Sequence, residues 1–139
     1  MRTQNSKKIA LVLSLVILFL PFSVVPVKAS VGITPYYINL QNITVELEAI
    51  SNKLELYCDI TGFTGTTSIT ATAILERQNS NGSYTEVTRW DNLSATGRYL
   101  SFDESYYVAT GYTYRLRINA TVYLNGVGES VNGSATCAA

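Results

Sequence analysis

Histidine is absent from the 139-residue chain, while cysteine occurs twice, tryptophan and methionine once each, and proline three times. Without imidazole there is no Ser-His-Asp or Cys-His nucleophile and no histidine-built metal site. The nine glycines are scattered among expected turns, so no phosphate-cradling loop is present. Helical spacing is lacking throughout the polar part of the chain. Acidic residues are also missing from the opening, where Glu46 is the first carboxylate.

That opening has three parts. Arg2, Lys7 and Lys8 precede an apolar run from Ile9 to Val27, and Val27-Lys28-Ala29 then places small or modest residues before Ser30. This is the pattern of a secretory signal peptide, expected over residues 1–29. A retained membrane helix is the rival reading, since the run approaches the roughly 20 residues that span a bilayer. Pro21 and Pro26 interrupt its far end, which favours cleavage, a secreted extracellular product and no stable membrane insertion after signal removal. The remainder divides into an extended leader at 30–42 and a domain at 43–139. It keeps six basic residues against ten acidic ones, a balance that disfavours nucleic-acid partners.

From Ile43 onward the apolar residues recur with a period of two, the signature of strands with one face in a core and one in water. Ile43, Val45, Leu47 and Ala49 form the first set, and Leu54, Leu56, Cys58 and Ile60 the second. Ile69 to Leu75 follows, then a tight reversal at Asn79-Ser80-Asn81-Gly82. Tyr84 to Trp90 returns with ambiguous parity, because Val87 favours odd positions inside and Trp90 even ones. Asp91 to Gly97 reads as a loop, Arg98 to Phe102 as a short strand, and Asp103-Glu104-Ser105 as a polar turn. Tyr112 to Leu124 alternates strictly, and Asn125-Gly126 turns it into a last strand from Val127 to Cys137. The expectation is an all-β, two-sheet antiparallel sandwich of seven to eight strands, with a small barrel as the alternative.

Two cysteines in an exported chain most simply form one disulfide, here Cys58 to Cys137, closing a loop of about 80 residues. A redox pair lacks C-x-x-C spacing, and a bond between two chains is the other alternative. Asp103 and Glu104 are the nearest approach to a hydrolytic carboxylate pair, but neighbours on a strand face opposite ways. Asp91, Asp103 and Glu104 have no regular calcium-ligand spacing. The chain is therefore expected to have no catalytic residues, no metal and no cofactor.

Tyrosine is the conspicuous enrichment, with ten residues, all beyond position 29. Tyr36, Tyr37, Trp90, Tyr106 and Tyr107 are the binding candidates, since exposed aromatics stack on sugars or fill protein interfaces. Tyr112 and Tyr114 begin the alternating run and suit the core, where a tyrosine can bond across to a loop. Arg115, Arg117 and Tyr123 share a strand face, with Glu129 a candidate cross-strand partner. Thr66, Thr67, Thr70 and Thr72 form a hydroxyl-rich stretch. Asn42, Asn81, Asn92, Asn119 and Asn132 satisfy the acceptor rule for N-linked sugars.

Ordered fragments also carry a resemblance. They are Gly32-Ile33-Thr34-Pro35-Tyr36-Tyr37, Cys58 with Gly62 and Gly65, Thr70 to Glu76, and Gly82-Ser83-Tyr84 leading to Val87 and Trp90. Gly111 to Leu116, Val122 to Gly126 and Cys137 complete the set. Together the chain resembles a family of small secreted proteins of Gram-positive Firmicutes with no established activity. Gly111 to Ile118 also resembles the penultimate strand of fibronectin type III and immunoglobulin-like domains, although Cys137 lies in the last strand. The resemblance implies export and a compact β domain. The expected function is a secreted non-catalytic binding module for an extracellular glycan or protein, with structural self-association as the alternative and a carboxylate-dependent hydrolase as a remote one.

Overall fold

The computed structural model describes residues 36–139. The expected signal peptide and the first part of the leader lie outside the described residues. Seven strands follow in order: β1 (Leu40–Ile50), β2 (Lys53–Gly62), β3 (Thr66–Gln78), β4 (Tyr84–Thr96), β5 (Tyr99–Tyr107), β6 (Thr113–Leu124) and β7 (Val127–Ala138). They form two antiparallel sheets, β1-β2-β5 and β4-β3-β6-β7. The strands assemble as an immunoglobulin-like β-sandwich in which the fourth strand pairs with the third.

Alternation dictates the core. Leu54, Leu56, Cys58 and Ile60 of β2 face Ile69, Ala73 and Leu75 of β3 and Tyr114, Leu116, Ile118 and Val122 of β6, all nearly inaccessible to solvent. Two-residue turns join the longest pair: Asn125 (φ 51°) and Gly126 (φ 78°) both take the left-handed conformation that a type I′ hairpin needs. At the other end of β6 the Tyr114 hydroxyl donates 2.8 Å to the Ala109 carbonyl, so the tyrosine is core by ring and loop tie by hydroxyl.

Sequence parity fails on β4 for an identifiable reason. Register shifts fall between Leu75 and Glu76 and between Ala71 and Ala73 of β3, so β4 carries extra residues at Val87 and at Asp91-Asn92. Each bulge reverses which parity points inward. Trp90 and Thr88 face the core on one side of the second bulge, Leu93 and Ala95 on the other. The segment expected as a loop, Asp91 to Gly97, continues the strand as far as Thr96. The expected turn at Asp103-Glu104-Ser105 is likewise extended, pairing with Tyr57, Leu56 and Glu55 of β2. Polar composition there reflects an exposed edge strand and not a reversal.

The sheet edges meet along two seams. At one, Gly133 of β7 lies so close to β1 that a Cβ would come 2.8 Å from Val45 Cγ2 and 3.1 Å from Ile43 Cδ1. At the other, Trp90 of β4 contacts Phe102 and Tyr106 of β5 edge-on, with centroids 5.4 and 6.2 Å apart.

The expected disulfide is not formed: Cys58 and Cys137 are both free. Cys58 stands opposite Val45, and Val45 meets β7 at Gly133. Cys137 is four residues farther along that strand, about 13 Å of extended chain. A disulfide spans a Cα separation of only about 4.4–6.8 Å. Apolar burial put Cys58 at mid-strand, whereas Cys137 pairs with Tyr114 at the end of the sheet.

Candidate functional site

The aromatic candidates do not converge. Tyr36 is 95% exposed and Tyr37 lies against β7, its hydroxyl oxygen accepting the Asn132 N–H at 3.4 Å. Trp90 and Tyr106 sit at the opposite seam, half-buried against each other and the core, and Tyr107 projects beyond them beside Lys53. Since β4 and β7 are the two edges of one sheet, Trp90 and Tyr37 are separated by its full width.

The end of the leader is built into the domain. The Glu129 carboxylate accepts the backbone N–H of Ile38 at 2.8 Å and of Asn39 at 2.6 Å. The buried Asn39 amide donates to the Val122 and Val127 carbonyls, both at 3.0 Å. Glu129 therefore clamps the leader and does not pair with Arg115 or Arg117; its register partner on β6 is Val122. Those arginines find Glu76 instead. Arg115 Nε donates at 2.7 Å and Arg117 Nη2 at 3.0 Å, and Arg115 stacks on Tyr84 with its Cζ 3.8 Å from the ring centroid. The pair could not be read from the β6–β7 hairpin, because Glu76 belongs to β3 on the other side of β6.

Outward residues of β1, β2 and β5 make the second exposed face. Glu46, Glu48, Glu55, Asp59 and Asp103 share it with Lys53, which pairs with Glu55 at 2.5 Å. The Tyr57 hydroxyl donates to Asp59, and that bond raises its pKa. Among the described residues, no group of three or more carboxylate or cysteine side chains is placed to hold a metal ion. Asp103 and Glu104 point to opposite sides of β5, opposite Tyr57 and Leu56.

The outer face of the four-stranded sheet carries a concavity of about 420 Å³. Two cross-strand rows floor it: Thr70, Thr121 and Ser130 in one, Thr72, Asn119 and Asn132 in the next. Asn92, held at φ 60° in the second β4 bulge, lines its far side. Every polar side chain lining this groove is an amide or a hydroxyl, and none is charged. Asp91 lies at the margin, where its Oδ1 accepts from Thr72 at 3.4 Å. In the sequence Thr70 and Thr72 stand out only as part of a hydroxyl-rich stretch, and Asn92, Asn119 and Asn132 only as glycan acceptors. The groove itself is not legible there, because the rows exist only once β3, β6 and β7 are in register.

The thiols are poorly suited to chemistry. Burial, followed by the charge of Asp59, pushes the Cys58 pKa up to about 12, and burial raises that of Cys137. No protein-family model and no curated protein sequence matches the chain. Among solved structures it is similar to the solution structure of R. palustris CsgH, with a TM-score of 0.39 and 14% identity, over 65% of this chain and 87% of that chain.

Proposed function

We propose that the protein is a secreted, non-catalytic binding module whose site is the groove on the outer face of β3, β6 and β7. The carrying observation is the groove itself: about 420 Å³, within the range of ligand sites, with amide and hydroxyl groups converging from adjacent strands. Export is supported by the basic start, the apolar run to Val27 and the small residue at Ala29. A non-catalytic role is supported by the missing histidine and by the placement of Asp103 and Glu104 on opposite faces.

The test is retention of the exported protein, collected from culture medium, on immobilised polysaccharides and on immobilised cell-surface proteins. Retention on either class without release of reducing sugar or peptide is the expected result. Failure to bind any of them, or turnover of a bound polymer, would overturn the reading.

A further inference from the structure

We infer that the groove takes an uncharged, linear saccharide, one ring of which stacks on Tyr123; this rests on the binding-module reading above. Amides and hydroxyls both donate and accept hydrogen bonds, as sugar hydroxyls do. An acidic polymer would require a free cation. None lines the groove, and the two arginines farther along β6 are committed to Glu76.

The strand register supplies a third row beyond Thr70, Thr121 and Ser130: Ser68, Tyr123 and Gly128. Gly128 has no side chain where one would collide, since a Cβ there would lie 2.9 Å from Tyr123 Cε1 and 3.0 Å from Thr121 Cγ2. The edge of the Tyr123 ring therefore occupies the space that a side chain at position 128 would take, beside the groove's first row. An aromatic ring laid along a sheet surface next to a row of neutral donors and acceptors matches the two sides of a pyranose. Its C–H face stacks on the ring while its hydroxyls reach Thr121 and Ser130 in the adjacent row, and the next sugar unit meets Asn119 and Asn132. The rows are about 7 Å apart along the strands, so the groove and Tyr123 together accommodate successive sugar units.

Affinity gel electrophoresis of the exported protein in soluble xylan, β-glucan and mannan, with polygalacturonate as the anionic comparison, tests this. Retardation is expected in at least one neutral polymer, unchanged by added salt because no ion pair is involved. Tyr123→Leu keeps an apolar side chain beside Gly128 but removes the π-face; it and Asn119→Ala are each expected to weaken binding by about tenfold. Tyr123→Phe retains the stack and should bind within about threefold of the parent. Thermal midpoints matching the parent certify that each variant is folded. Neutral-polymer binding untouched by both groove variants would overturn the saccharide assignment together with the groove as the binding site. Retardation confined to polygalacturonate would overturn the neutral-saccharide assignment and leave the binding-module reading standing. Retention only on surface proteins would do the same, whereas no retention on any support would overturn both.

Discussion

Replacing Glu76 by glutamine is expected to destabilise the fold by about 2 kcal/mol at neutral pH. Its side chain is 8% exposed although it points to the outer face, because Arg115 and Arg117 close over it. Glutamine keeps the volume and removes the charge, leaving two guanidinium groups without their counterion. A fully buried pair would lose about 3–5 kcal/mol on such a change. The arginines are 30% and 37% exposed and recover hydration, which lowers the figure. The pH dependence supplies a second check. Burial opposes ionisation of Glu76, but hydrogen bonds and charge from Arg117 and Arg115 outweigh it and lower the pKa. Since folding lowers this pKa, the ionised group stabilises the fold above the unfolded value of about 4.3, and the contribution is lost as pH falls through the folded value. Urea unfolding followed by fluorescence of Trp90, the single tryptophan, measures both effects. A neutral-pH difference below about 0.5 kcal/mol, or one that fails to shrink in acid, would refute the reasoning.

Three further outcomes follow from the packing. Tyr114→Phe removes the hydroxyl bond to Ala109 and is expected to cost about 1 kcal/mol in the same assay, with the ring still filling the core; an unchanged midpoint would show the tie to be idle. Gly133→Val should cost about 1–3 kcal/mol by forcing β7 away from Val45 and Ile43, and Gly133→Ala less; equal stability of all three would contradict the close seam. Both thiols should be alkylated after unfolding without reductant, while folded Cys58, 1% exposed, resists. Folding raises its pKa, so its contribution to stability is full below about 8.5 and declines as pH rises toward the folded value. An unfolded protein that takes up no alkylating reagent would restore the disulfide.

The strands were legible where burial is one-sided. Tyr114 to Leu124 and Leu54 to Ile60 alternate because each has a dry face and a wet one, and β6 and β2 follow them closely. Tyr112, expected in the core, instead precedes β6 and is 44% exposed, its ring under the Arg77 guanidinium. Legibility declined at the edges. β4 has two bulges that reverse its parity, and β5 holds Asp103 and Glu104 in an extended conformation through pairing with β2. Partners that cross strands distant in sequence were also hidden: Glu76 with Arg115 and Arg117, and Glu129 with the leader. The groove belongs to this class. Threonine and asparagine are ordinary residues on any exposed strand, and only the alignment of β3, β6 and β7 gathers them. The aromatic doublets drew attention by composition, yet the fold divides them between two seams and uses half of that surface for packing.

The direct measurement is an amide chemical-shift titration of the ¹⁵N-labelled protein with xylan, β-glucan and mannan oligosaccharides. Shifts are expected to concentrate at Thr70, Thr72, Asn119, Thr121, Tyr123 and Ser130. Shifts confined to Tyr36 and Tyr37, or to Trp90 and Tyr106, or no shift with any oligosaccharide, would contradict it.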